Sequence, residues 1–199
     1  MPPWSITIAI GLSFTRPSDL TIHQPVLGND AVFHNVRWAS QSFVSPLYYV
    51  VRFGKGDAQV DFTHYKIVAE TNERIHVEGT WHDRPVDECA PLDERVEHIE
   101  VSHGVNAFAF VGLARDPAHR GLYVGAGPLI FMPHAESTID GHVGEWGYAH
   151  GGRGFEVFGG VGFPAPFAEF KYDAGSIRVG VADGTAATQL STVQLSVAP

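Results

Sequence analysis

Residues 96–115 read VEHIEVSHGVNAFAFVGLAR, and the period of this stretch decides the fold. Ile99, Val101, Val105, Ala107, Ala109, Val111 and Leu113 fall on one parity. Glu100, Ser102, Gly104, Asn106, Phe108, Phe110 and Gly112 fall on the other. Alternation this long predicts a single extended β-strand, because successive side chains of a strand point to opposite faces. One polar residue, His103, sits on the apolar parity.

The same period recurs through the chain. Residues 5–14, 31–54, 58–70, 121–135 and 146–163 alternate, as do the stretches from 167 and from 188 to 197. With 96–115 they make eight predicted strands. Pro46 predicts a bend in the second. Gly54-Lys55-Gly56-Asp57, Asp116 to Arg120 and Pro164-Ala165-Pro166 read as short turns. Residues 71–93 and 137–145 are polar and read as long exposed loops. No segment carries a helical period.

Composition narrows the class. The chain has 199 residues, 44% hydrophobic, with a formal charge of −9 and one cysteine, Cys89. That length suits a single domain, 1–199. One cysteine allows no intrachain disulfide. The negative charge argues against a nucleic-acid partner. No apolar run approaches the ~18 residues of a membrane-spanning helix, but strands that alternate escape that test.

Each strand has one apolar face and one small or polar face. The row Glu169, Lys171 and Asp173 fits an ion-paired lumen, and short turns alternate with longer polar loops. Both features predict an all-β, eight-stranded antiparallel up-and-down transmembrane β-barrel in a bacterial outer membrane. A soluble lipocalin-like barrel, with its apolar face inward, is a less favoured reading. The first residues show no positively charged segment followed by an apolar one. The sequence is therefore expected to be a mature form, or to start downstream of an export signal.

Three histidines repeat one placement. Pairing Arg115 with Gly121 sets His103 opposite Pro133, beside His134. Placing Ala69 near His98 sets His64 opposite His103. By parity all three point outward, toward lipid. Cross-strand neighbours on one face have Cβ atoms about 5 Å apart, close enough for three imidazoles to share a transition metal such as Fe, Cu or Zn. The plainer reading makes them interfacial residues at a barrel rim. Lys66, on the parity of His64, is a candidate for a lipid phosphate, its plainer role being snorkelling to the interface. His76, His82 and His142 lie in the expected loops and read as solvated.

FTHYK at 62–66, SHGVN at 102–106, PHAE at 133–136 and EFKYD at 169–173 resemble the bacterial lipid A oxidase family of small outer-membrane β-barrels. The resemblance runs from 42 to 197. It implies an eight-stranded barrel whose substrate is lipid A, the anchor of lipopolysaccharide, in contact with outer-membrane lipids. The implied reaction oxidises the proximal glucosamine of lipid A to an aminogluconate unit, with O₂. No Gly-rich flavin or nicotinamide motif is present. A metal held by the catalytic candidates His64, His103 and His134 would fill that gap, with Glu136 or Asn106 orienting a ligand from behind, although Asn106 has lumen parity. The alternative is a non-enzymatic barrel with a structural role, or an accessory subunit of a larger membrane assembly.

Overall fold

The computed structural model describes residues 4–101, 103–116, 118–119, 121–162 and 166–198. Ser102, Pro117 and Arg120 lie outside the described residues, as do Phe163 and, of the expected turn, Pro164 and Ala165. Among the described residues, seventeen strands run in chain order: β1 (Trp4–Thr15), β2 (Ser18–Gln24), β3 (Asn29–Val36), β4 (Trp38–Ala39), β5 (Tyr49–Lys55), β6 (Ala58–His64), β7 (Ile67–Ala69), β8 (Arg74–Trp81), β9 (Arg84–Pro91), β10 (Val96–Val101), β11 (Ala107–Arg115), β12 (Leu122–Phe131), β13 (Ala135–Ile139), β14 (His142–Trp146), β15 (Gly152–Val161), β16 (Phe167–Val181) and β17 (Gly184–Ala198). One turn of 3₁₀ helix, Leu92–Glu94, joins β9 to β10.

Eight of these strands close an antiparallel barrel in the order β1-β5-β6-β11-β12-β15-β16-β17, with β17 returning to β1 through Ile10↔Val197 to Thr15↔Thr192. This is the eight-stranded antiparallel barrel that the alternation predicts. The outer wall is apolar. Trp4, Ile6, Ile8, Ile10 and Phe14 on β1 are exposed, as are Phe53, Phe110, Val124, Phe155, Val157, Phe170, Leu195 and Val197 around the circumference.

The interior is polar and filled. Arg52 forks onto Asp61, with Nε to Oδ1 at 2.6 Å and Nη2 to Oδ2 at 2.5 Å, while its Nη1 reaches Glu169 at 2.8 Å. Lys171 Nζ meets Asp61 at 2.9 Å and Glu156 at 3.1 Å, and donates to Thr63 at 3.1 Å. Tyr123 donates to Glu169, and Gln194 to Asp173. The expected row of Glu169, Lys171 and Asp173 is therefore the spine of a buried ion network. The Arg52 guanidinium also lies 4.2 Å from the centroid of the Phe158 ring.

The strand that decides the fold departs from its expected form. Residues 96–115 break into β10 and β11, with 102–106 between them. Gly104 (φ 104°) and Asn106 (φ 47°) stand in left-handed conformations that end the ladder. The faces of β11 are also the reverse of the expectation. Val105, Ala107, Ala109, Val111 and Leu113 are buried inside, and Phe110 is exposed on the outer wall. The reason is volume: the lumen is already filled by the ion network and its interlocking side chains, so β11 turns its small residues Ala107 and Ala109 inward and Phe110 outward.

The two expected loops are instead β-structure. Residues 71–93 hold the β8–β9 hairpin, which turns at His82 and Asp83 with φ of 51° and 59°. Residues 137–145 lie in the β13–β14 hairpin, which turns at Asp140-Gly141 with φ of 54° and 76°. Positive φ at both central residues gives the turn whose twist matches the flanking strands. The stretch 31–54 likewise divides into β3, β4 and β5, with a cis Ser45–Pro46 bond in the connection.

These additional strands cap one end of the barrel. β16 and β17 run beyond the wall, and β17 pairs onward with β2, then β3, β8 and β9. A second sheet, β14-β13-β10-β7-β4, lies against them. Leu20, Trp38, Ile67, Ile99, Val101, Ile177 and Val179 meet between the two sheets, with Ile22, Phe33 and Val77 buried in the same apolar core. The molecule therefore has an ionic core in its barrel and a hydrophobic core in its cap.

Candidate functional site

The site forms where the barrel wall meets the cap. The geometry starts at the break between β10 and β11. Below it, β11 pairs β12 through Ala107↔Phe131; above it, β10 pairs β13 through Glu100↔Glu136. The residue numbers of paired positions sum to 238 below and 236 above. Residues 103–106 lie where the difference is absorbed, and His103 emerges from that irregular turn half-exposed. The expected pairing of Arg115 with Gly121 is corrected: Arg115 faces Tyr123.

His64 closes β6 directly opposite Tyr49, and the two rings stack at 5.0 Å between centroids with planes 9° apart. It is buried, while the outward parity expected for β6 holds for its neighbour Phe62, which packs on Phe108 at 4.8 Å. His64 Nδ1 donates to Asn106 Oδ1 at 3.0 Å. The Asn106 amide nitrogen lies 3.1–3.3 Å from the carbonyls of Gly104, His103 and Met132. Those acceptors fix which end of the amide faces His64, and hence which nitrogen of the imidazole carries the proton. Nε2 is left with its lone pair, buried and without a hydrogen-bond partner. A Cβ on Gly104 would lie 2.4 Å from the His64 ring, so the close approach requires glycine.

His103 and His134 meet edge to face, with centroids 4.5 Å apart and planes at 85°. His103 Nδ1 lies 3.1 Å from Glu136 Oε1, and His134 Nε2 lies 3.2 Å from Glu145 Oε1. His134 Nδ1 is the second buried imidazole nitrogen without a partner. Tyr148 packs on His134 at 4.9 Å, and its hydroxyl donates to the His103 carbonyl at 3.1 Å.

One ligand atom from each of His103, His134 and Glu136 lies within 4.8 Å of the others. Glu136 thus stands in the compact set where the spacing argument put His64. Of that set His103 also lines, with His64, a cleft of about 420 Å³ bounded by Pro46, Tyr49, Phe62, Asn106, Phe108, Met132 and Tyr148. Two imidazoles and a carboxylate suit Fe, Zn or Cu, and the orphaned Nδ1 of His134 fits the requirement for an unprotonated nitrogen.

The expected phosphate ligand, Lys66, lies differently. Its side chain is buried rather than snorkelling outward, and Nζ donates to the Ser45 carbonyl at 2.6 Å. Burial pulls its ammonium below the ordinary lysine range, with Glu100 working in the opposite direction. The alternation predicts Asn106 on lumen parity; because the faces are reversed, its side chain lies at the outer cleft beside His64 instead.

Tyr49, Glu145 and Tyr148 were not anticipated. Tyr49 was within reach of the sequence, since the Gly56-Asp57 turn sets Lys55 opposite Ala58 and, counting back, Tyr49 opposite His64. Tyr148 falls inside the stretch 146–163 whose alternation predicts one strand, but the structure ends β14 at Trp146 and starts β15 at Gly152, leaving Tyr148 in the connection. No family model matches this chain, and no curated protein matches it.

Proposed function

We propose that this protein is an outer-membrane β-barrel that oxidises the proximal glucosamine of lipid A at the cleft around His64, His103 and His134. The observation that carries the reading is the position of that cleft. It opens on the outer wall, with its floor made by Phe62 and Phe108 and an exposed apolar surface running round the barrel. A contiguous apolar surface of this extent marks a protein or lipid interface. A polar, histidine-bearing cleft at its margin suits a substrate whose sugar is polar and whose acyl chains remain in lipid.

The donor set supports a bound transition ion. His103, His134 and Glu136 would hold it, with His64 on the wall of the cleft that His103 also lines. Iron or copper bound there would supply the electron-transfer capacity that reaction with O₂ requires and that these side chains lack, whereas redox-inert Zn²⁺ would not. The remaining parts belong to the chain. Asn106 keeps the proton of His64 on Nδ1. Glu145, 3.2 Å from His134 Nε2, holds the proton there and orients that ring, leaving Nδ1 for the ion. Phe62, Phe108 and Met132 keep water from one side of the cleft.

The C1 hemiacetal loses two electrons and two protons to O₂, giving a lactone and hydrogen peroxide, and water opens the lactone to the aldonate. A phosphate on the anomeric oxygen blocks this step, so the substrate is lipid A with a free anomeric hydroxyl.

The test offers such lipid A to the purified barrel in air, loaded in turn with Fe, Cu and Zn, beside His103→Ala. Mass spectrometry is expected to show the gain of one oxygen on the proximal sugar for the wild type only. Unaltered lipid A with every ion would overturn the reading and favour a structural or accessory barrel.

A further inference from the structure

A second group of ligating side chains lies on the cap, on strands that none of the family-like segments includes. β3 pairs β8 through Phe33↔Val77, and one step further this register sets His34 directly opposite His76. Glu78 lies two residues along β8, on the same face. The two imidazole rings stack at 5.2 Å with planes 14° apart. One ligand atom from each of His34, His76 and Glu78 lies within 4.8 Å of the others, and His34 Nε2 lies 3.2 Å from Glu78 Oε1.

The surroundings distinguish this group from ordinary surface ion pairs. Each histidine has a carboxylate on one ring nitrogen: Asp19 lies 3.1 Å from His34 Nδ1, and Asp87 lies 2.9 Å from His76 Nε2. A carboxylate on one nitrogen fixes the tautomer and directs the lone pair of the other, the usual support of a metal-bound imidazole. Nε2 of His34 and Nδ1 of His76 are thereby left for a ligand, with Glu78 between the strands. The platform is rigid, since the reverse face of β3 and β8 carries Phe33, Ile75 and Val77, all buried in the cap core.

We propose that His34, His76 and Glu78 form a divalent transition-metal site, separate from the cleft on the barrel wall, that clasps β3 to β8. Two nitrogens and one carboxylate oxygen select against Mg²⁺ and Ca²⁺, which prefer oxygen-only shells, and favour Zn²⁺ or Cu²⁺. Nitrogen and carboxylate ligands sit about 2.0–2.2 Å from Zn²⁺, so an ion displaces the direct His34–Glu78 contact with small side-chain rotations. Three protein ligands leave a fourth position for water. Because the ligands come from two strands, the ion binds the folded cap and not the unfolded chain, and occupancy stabilises the cap.

The experiment uses the full-length barrel in detergent, with His103→Ala and His134→Ala together silencing the other cluster. Calorimetric titration with Zn²⁺ is expected to give one equivalent in that background. Adding His34→Gln or the isosteric, solvent-side Glu78→Gln is expected to weaken binding at least tenfold, with melting in EDTA unchanged as the check on folding. Zn²⁺ is also expected to raise the melting temperature of the silenced background but not of its Glu78→Gln derivative. Absence of binding in the silenced background, or binding that Glu78→Gln leaves intact, would overturn the site. Neither outcome depends on whether the barrel oxidises lipid A.

Discussion

Asn106 does several jobs at once. It ends a barrel strand with a left-handed backbone, ties down the irregular turn through its amide nitrogen, and sets the proton on His64. Asn106→Ala is expected to cut metal affinity at the cleft or turnover about 10–100-fold, the usual cost of losing an orienting partner, with the barrel still folded. Isothermal titration and the lipid A assay measure both. Gly104→Ala is the more severe change. The new Cβ meets the His64 ring at 2.4 Å in a backbone held at φ 104°, so strain and collision act together. Its expected signature is loss of the cleft and a destabilisation of about 1–3 kcal/mol. Lys66 gives a pH dependence. Its ammonium titrates below the ordinary value because it is buried, so between the folded and unfolded values the unfolded chain holds the extra proton. Stability therefore rises with pH across a window just under the ordinary lysine value. Lys66→Met is expected to remove that slope, read from denaturant midpoints across the alkaline range.

At the scale of strands and turns, the barrel was legible and the cap was not. Period two identified every wall strand, because one face of each is apolar and the other holds small or ionic groups. The faces of β11 were misread because both carry apolar residues, and only the size of the lumen decides between Ala109 and Phe110. The cap hairpins were hidden by their polar composition: β9 presents mostly exposed residues, and its partner β8 buries only Ile75, Val77 and Trp81. Yet Asp140-Gly141 is a strong hairpin signal, and the alternation on either side was short enough to pass for loop. Gly141 now provides a clean contrast with Gly104. A Cβ at Gly141 meets nothing within 4 Å, so Gly141→Ala is expected to cost only the left-handed backbone, about 1 kcal/mol. A thermal melt of the cap, followed by near-ultraviolet dichroism, would read it. A loss of several kcal/mol would mean that the turn has packing partners its position does not suggest. The candidate site was legible to the same degree. Its histidines were found, but the break that brings them together needed two left-handed residues, and nothing in the alternation announces those.

For the whole molecule, the question is what holds a barrel whose core is charged. Arg52 and Lys171 face Asp61, Glu156, Glu169 and Asp173, all buried. Lys171 touches two of these carboxylates and Arg52 touches two, with Asp61 shared between them. The lumen is therefore a sealed network rather than a pore, and no steady conductance is expected when the protein is placed in a planar bilayer. A network of this kind is sensitive to which member is lost. Lys171→Met leaves Asp61 and Glu156 facing each other without their shared cation. Removing one partner of a buried pair costs about 3–5 kcal/mol, whereas replacing the pair by neutral groups of similar volume is often nearly neutral. The double change Lys171→Met with Glu156→Gln is therefore expected to unfold at a higher denaturant concentration than Lys171→Met alone. A double-mutant cycle in denaturant is expected to show a coupling of about 1–3 kcal/mol between the two positions. Strict additivity would mean that the charges act independently, and the barrel would then owe its stability to its backbone ladder and apolar wall instead of to the ions inside it.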